Sequence, residues 1–322
     1  MQRSGGADNP SPMRIIRDHQ YLAPEDRGAT AAIGNFDGVH RGHQAVIAQA
    51  RAALPDAPLG VVTFEPHPRQ YFKPDAPDFR LTNAEARASR LAKLGVDRLY
   101  QLNFNAALAE LSPEGFARTV IADGLGLRHV VVGADFCFGK GRTGNVGDLE
   151  RFGREMGFGV SVADILKGGT GRISSSNIRA ALTEGLPREA AAQLGHWHRI
   201  EGPVVGGEQR GRELGYPTAN MSIDGLHPPK FGVYAVLVDI AEGPHKGHYH
   251  GAASIGVRPM FGENRPNIET FLFDFKGDLY GTHLSVALVD FLRPELKFDG
   301  LDALIKQMDA DCAEAREKLE GL

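Results

Sequence analysis

Cysteine is nearly absent from this 322-residue chain: Cys137 and Cys312 are the whole complement. Two cysteines build neither a disulfide framework nor a thiolate zinc site, and they fit a reducing, cytoplasmic setting. Cys137 reads as a bystander thiol rather than a reactive one. No apolar run approaches the length of a membrane span. Residues 1–12 are polar, with glycines and prolines, and lack the apolar stretch of a secretory signal. They are expected to form a disordered tail, with Met13 as the start of folded protein. Excess positive charge is missing too. Lys and Arg number 36 against 40 Asp and Glu, for a net charge of −4, which argues against a coat on nucleic acid or anionic membrane. A local basic site for a phosphate is compatible with that balance. Internal repeats are absent, and oligomeric state is not legible.

Two patterns divide what is present. Up to about Leu194, apolar strands alternate with helical segments. Strands are expected at Ala31–Ile33, Leu59–Phe64, Leu99–Leu102, Val130–Gly133 and Phe158–Val162. One helix after Gly42 should bury Val46, Ala50, Ala53 and Leu54. Another should start at Thr82, with Glu85 completing a capping box and Gly95 ending it. Ser112-Pro113 opens a third, Asp148–Met156 forms a fourth, and Asn177–Thr183 begins a last one. Such alternation predicts a parallel α/β sheet with its ligand beyond the carboxyl ends of the strands. His40, Pro66, Asp135 and Ser174 each follow a strand and are expected to converge. From Gly195 onward, extended runs separated by turn residues predict an antiparallel barrel. One terminal helix, Leu301–Leu319, closes it, with a stripe of Leu301, Leu304, Ile305 and Met308. The expected division is a tail at 1–12, a first domain at 13–194 and a second at 195–322.

The densest chemistry is Asn35-Phe36-Asp37-Gly38-Val39-His40-Arg41-Gly42-His43, placed where a strand turns into a helix. A helix start offers free N–H groups and a positive dipole end to a phosphate. Two imidazoles add hydrogen bonds to a phosphoryl group as its charge builds. Gly42 leaves the backbone bare for a close nucleotide. Three more segments accompany it. In Thr63-Phe64-Glu65-Pro66-His67-Pro68 the prolines stiffen a loop that shapes a pocket wall, although His67 alone reads equally as part of a rigid turn. Gly133–Gly144 combines glycines with Lys140, Arg142, Phe136 and Phe138, but does not match the Walker spacing. Arg172–Arg179 sets Ser174, Ser175 and Ser176 before a helix: one serves as an ordinary cap, and the group with Arg179 reads as a phosphate clamp.

In the second part, Gly206–Asn220 is rich in glycine and holds Gly211, Gly215, Pro217, Thr218 and Asn220. Thr218 and Asn220 are neutral oxygen donors two residues apart. They suit magnesium whose other ligands are phosphate and water, or they belong to a structural loop turned by Pro217.

Together and in this order, these segments resemble the bacterial bifunctional riboflavin kinase/FAD synthetase family, from about Arg14 to the C-terminus. The first domain is similar to the nucleotidylyltransferase superfamily, with its His-x-Gly-His signature and later serine-rich loop. The resemblance implies that FMN phosphate attacks the α-phosphate of ATP, giving FAD and pyrophosphate. His40 and His43 match the phosphate-binding pair, and Asn35, Phe36, Asp37, Gly38 and Gly42 the surrounding turn. Ser174, Ser175 and Arg179 match the serine loop. Pro66, His67, Asp135 and Phe136 are assigned to the flavin pocket. For the second domain the resemblance implies transfer of the ATP γ-phosphate to the ribityl 5′-hydroxyl of riboflavin. Gly211, Gly215, Pro217, Thr218 and Asn220 then belong to the ATP and Mg2+ motif, and Glu269 in Ile268–Phe275 is the catalytic base. Gly206 stands where many relatives have a basic residue, and Met260 where threonine is frequent. His196-Trp197-His198 is unusual at the junction, with Trp197 read as packing rather than flavin stacking. The alternative is a nucleotidylyltransferase for a non-flavin phosphate carrying a C-terminal binding module.

Overall fold

The strand that leads into the Asn35–His43 segment, Thr30–Ile33, lies inside the first sheet rather than at its edge. The computed structural model describes residues 12–164, 167, 168, 171–206, 215–260 and 263–322. Six strands, β1 (Arg14–Ile16), β2 (Thr30–Ile33), β3 (Leu59–Glu65), β4 (Arg98–Asn103), β5 (His129–Gly133) and β6 (Gly159–Ala163), form one sheet in the order β1-β4-β3-β2-β5-β6. Every pair in it is parallel. The order reverses direction between β2 and β5, the kind of switch point where such sheets hold ligands. The central strands are apolar on both faces, as helices on either side require: β2 is buried along its whole length, as are Val130, Val131 and Val132.

The helices are α1 (Arg41–Ala53), α2 (Pro68–Phe72), α3 (Ala84–Lys93), α4 (Ala106–Ala109), α5 (Pro113–Phe116), α6 (Val146–Met156), α7 (Ser175–Glu184), α8 (Pro187–Leu194) and α9 (Leu301–Leu319). Ser112 caps α5 by accepting from the Gly115 N–H at 3.0 Å, and the chain continues into a π-helical stretch, Ala117–Ala122. Four expectations change. Helix α1 buries Ile47 and Ala50, while Val46 is only half-buried. Asn83, not Thr82, accepts from the Ala86 N–H at the start of α3, at 2.8 Å. A further helix, α8, follows α7, since Pro187 suits a first helical turn. Helix α9 buries Asp311, Ala315 and Leu319 and leaves Leu301 54% exposed. Its inner stripe therefore runs toward the C-terminal end.

A two-stranded pair, β7 (Lys167–Gly168) and β8 (Gly171–Arg172), precedes α7. A second six-stranded sheet follows, comprising β9 (His198–Pro203), β10 (Ala219–Ser222), β11 (Gly232–Ile240), β12 (Gly247–Met260), β13 (Glu263–Leu272) and β14 (His283–Arg293). Its order is β10-β13-β12-β11-β14-β9, antiparallel throughout. The Val205 N–H donates to the Asn220 carbonyl at 2.9 Å, so the chain leaving β9 meets β10 and the barrel nearly closes. Alternate residues fill its interior, among them Ile200, Met221, Val236, Val238, Ile255, Ile268, Leu284 and Val286. Ala315 and Leu319 of α9 cover the outer face at Ala235, Ala252, Phe273 and Val289.

The chain groups into two compact units. One holds residues 12–36, 42–76 and 88–164. The other holds Asp37–Arg41, Pro77–Arg87 and the described residues from 167 onward. The turn with the first histidine thus groups with the later part of the chain.

Candidate active sites

The turn after β2 is held in a conformation that side chains ordinarily avoid. Phe36 has φ 52°, Gly38 φ 80° and Val39 φ 44°. A β-branched residue at positive φ is a true outlier, and it persists only where its surroundings over-determine it. In the second unit those surroundings are explicit. The Asp37 carboxylate accepts from the Leu81 N–H at 2.8 Å, from the Thr82 N–H at 3.3 Å and from an Arg179 Nη at 3.0 Å. Ser175 Oγ donates to the Asp37 carbonyl at 2.9 Å. The Gly38 N–H donates to Thr82 Oγ1 at 3.3 Å, and the Gly38 carbonyl lies 3.1 Å from His196 Nε2. Burial pushes the Asp37 carboxyl up from its ordinary value, opposed by the Leu81 N–H, the Arg179 charge and the Thr82 N–H. His40, at the end of this stretch, is buried.

The serine loop divides its labour. Ser174 caps α7, accepting from the Asn177 N–H at 3.2 Å, while Ser175 binds the Asp37 carbonyl. Arg179 also donates to the Phe79 carbonyl at 3.2 Å and to Ser176 Oγ at 3.3 Å. Within this unit, then, Asp37, Ser175 and Arg179 are brought together. Leu81, Thr82 and His196 complete the set without having been expected there. Thr82 had the look of a helix cap, and only the unusual His196-Trp197-His198 run marked the last of them.

In the first unit, β2 delivers Asn35 and Phe36 to its carboxyl end. The Asn35 carbonyl accepts from Thr63 Oγ1 of β3 at 3.1 Å. Phe36 is 1% exposed and tilts against the His43 ring, with centroids 5.1 Å apart. Gly42 and His43 occupy the first turn of α1. The Glu65–Pro66 peptide is cis. His67 caps α2, its Nδ1 accepting from the Arg69 N–H at 3.0 Å. Asp135 follows β5 and is exposed. Phe136 stacks on Phe138, centroids 5.5 Å apart and planes 16° from parallel.

In the barrel, β10 and β13 pair so that Asn220 lies opposite Glu269, and on the other side of β13 Glu269 lies opposite Ser254. Directly opposed residues share a face, so Asn220, Glu269 and Ser254 form one polar row on the side away from Met221 and Ile268. Asn220 is 8% exposed and its Nδ2 donates to the Thr218 carbonyl at 3.4 Å. A cavity of about 240 Å³ is lined by Pro217, Thr218, Asn220, Asp278 and Tyr280 among others. Glu269 is not in this lining, although the strand partner opposite it, Asn220, is. Gly215, at φ 85°, precedes the motif. Gly211 lies outside the described residues, as does Phe261.

Comparison with known proteins follows the same division. A family model described as FAD synthetase matches residues 22–177, and one described as riboflavin kinase matches 194–319. A bifunctional riboflavin kinase/FMN adenylyltransferase of Pseudomonas fluorescens is 41% identical over 307 residues, covering 94% of this chain and 97% of its own. Its counterpart in Escherichia coli K12 is 37% identical, covering 95% and 97%, and that of Bacillus subtilis 35%, covering 94% and 96%. A crystal structure described as a macrolide-efflux protein from Streptococcus pneumoniae superposes with a TM-score of 0.79 at 32% identity, covering 94% of this chain and 97% of that one. Among the described residues here, no helix is long and apolar enough to cross a membrane.

Proposed function

The chain belongs to the bifunctional riboflavin kinase/FMN adenylyltransferase family, an enzyme of flavin cofactor synthesis that uses ATP, riboflavin, FMN and FAD, and we propose how its residues divide the two reactions. Residues 13–194 carry adenylyl transfer and 195–322 the kinase. In the first reaction an FMN phosphate oxygen attacks the α-phosphorus of ATP, and pyrophosphate leaves. No covalent enzyme intermediate is needed, so positioning and charge stabilisation carry the catalysis. His40 and His43 donate to the phosphoryl oxygens. Asn35, Phe36, Gly38 and Gly42 form the cradle, with Asp37 fixing its shape. Ser174, Ser175 and Arg179 attend the phosphates, and Pro66, His67, Asp135 and Phe136 shape the flavin side. The strained, heavily hydrogen-bonded turn supports this reading, because strain of that kind collects at functional sites.

In the second reaction Glu269 takes the proton of the ribityl 5′-hydroxyl as it attacks the γ-phosphorus of ATP. Gly211, Gly215 and Pro217 belong to the nucleotide-binding segment, where Gly215 leaves the backbone bare, and the cavity lined by Thr218 and Asn220 receives the nucleotide. Thr218 and Asn220 fit a magnesium ion: both offer neutral oxygen, and the Asn220 amide nitrogen is turned to the Thr218 carbonyl, leaving Oδ1 for a cation. Magnesium, when bound with ATP, neutralises phosphate charge. The observation that carries the reading is the register that sets Glu269 opposite Asn220, a residue of the cavity lining.

Paired variants test it. Glu269→Gln is expected to lower FMN formation by about 10²–10⁴-fold, with FAD formation from supplied FMN retained. His43→Ala is expected to do the reverse, lowering FAD formation by about 10²–10³-fold and sparing FMN formation. Any variant that lowers both equally, or neither, contradicts the assignment.

A further inference from the structure

We propose that His196 is a positioning residue for adenylyl transfer, acting through the Gly38 carbonyl on the turn that carries His40. The inference rests on the assignment of that turn to FAD formation. The residue sits at a fixed point. Helix α8 is capped by Gly195, at φ 73°, whose N–H donates to the Ala191 carbonyl at 2.7 Å. Strand β9 begins three residues later at His198. Both flanks are anchored. Leu194 is buried with Leu81, Ile178 and Leu182, and His198 Nε2 lies 3.0 Å from the Leu81 carbonyl. Trp197 packs against the outer barrel cluster, with the Arg188 guanidinium 5.8 Å from its ring centre.

From that point the His196 ring spans two carbonyl oxygens, Trp197 at 2.9 Å from Nδ1 and Gly38 at 3.1 Å from Nε2. A carbonyl only accepts, so the contact with Gly38 is a hydrogen bond when the proton is on Nε2. With the Gly38 N–H bound to Thr82 Oγ1, both polar groups of Gly38 are held by side chains from separate segments. The next residue, Val39, has φ 44°. The bond to the carbonyl is one of the restraints that hold the peptide between Gly38 and Val39, and its loss weakens the support for the positive φ of Val39. His40 follows directly and moves with it. Small displacements of a reacting group are expensive in rate, on the order of 100-fold for ~1 Å.

The test compares full-length variants in both reactions. His196→Leu removes the donor at similar volume. His196→Gln keeps an N–H at similar reach, and His196→Asn keeps one too short to reach Gly38. The expected result is a kcat for FAD formation from FMN lowered about 10- to 100-fold in His196→Leu and His196→Asn. KM for FMN and ATP and the rate of riboflavin phosphorylation are expected to change by less than about twofold. His196→Gln is expected to recover most of the rate. If His196→Leu loses kinase activity as well, it has misfolded and His196→Asn carries the comparison. The inference is overturned if His196→Asn keeps the wild-type kcat, or if His196→Gln is no better than His196→Asn. His40→Ala, measured alongside, separates the two levels: if it makes FAD normally, the assignment of the turn is wrong. If it is inactive while His196→Asn is not, only the role of His196 fails.

Discussion

Replacing Gly38 by alanine probes the turn at its tightest point. Gly38 has φ 80°, and a Cβ built there lies 2.8 Å from Leu81 Cδ1 and 3.2 Å from Leu194 Cδ2. Two effects add. Left-handed backbone costs an ordinary residue about 1–2 kcal/mol. Overpacking costs about 1–3 kcal/mol more, because Leu81 and Leu194 are both fully buried and have little room to give. The expected loss is therefore about 2–5 kcal/mol. With a urea dependence of about 3 kcal/mol/M, this lowers the unfolding midpoint by roughly 1 M. Gly225→Ala is the matched control. Its φ is 76°, but nothing lies within 4 Å of the added carbon, so only the backbone part of the loss applies. Urea unfolding followed by circular dichroism and tryptophan fluorescence reads both variants, Trp197 being the only tryptophan. FAD formation is expected to fall in Gly38→Ala and to stay normal in Gly225→Ala. Equal destabilisation of the two, within about 0.5 kcal/mol, would falsify the packing argument.

Other regions yield further expectations. Arg293 and Asp311 meet in a two-pronged pair, at 2.8 Å and 2.6 Å, with side chains 17% and 7% exposed. Asp311→Ala leaves the guanidinium buried without its carboxylate and is expected to cost about 3–5 kcal/mol in urea unfolding; a loss below 1 kcal/mol would contradict this. His198 is buried, which lowers its pKa from 6.5 to about 4. The unfolded chain therefore binds this proton first. Stability from His198 is complete above pH 6.5 and is lost as the pH falls toward 4, by about 3 kcal/mol in all. In His198→Gln the slope of unfolding free energy against pH should flatten across that window, and an unchanged slope would refute the assignment.

The parts of the fold written in local sequence were legible before the structure. Strand–helix alternation gave the parallel sheet, and Ala31–Ile33 followed by the Asn35–His43 segment marked the turn. Ser112 and Ser174 act as the caps their surroundings call for. The extended runs beyond Gly195 form the barrel, and α9 spans Leu301–Leu319 as expected. What local pattern could not supply was long-range pairing. Thr82 carries the chemistry of a helix cap, yet its hydroxyl serves Gly38, and Asn83 takes the cap. Arg179 looks like a free phosphate ligand in sequence, whereas Asp37, 142 positions earlier, accepts from it. The same holds for His196, which touches Gly38 across 158 positions. Nor does composition reveal that Asn220 and Glu269 are opposite one another. That is a matter of strand register, and one residue of slip would turn them to different faces.

The full-length protein incubated with riboflavin, ATP and magnesium, with products separated over time, addresses the two-reaction account itself. FMN should appear first and FAD after it. ADP should rise in step with FMN plus FAD, and pyrophosphate in step with FAD alone. Riboflavin left unconverted, or FAD accumulating without matching pyrophosphate, would contradict it.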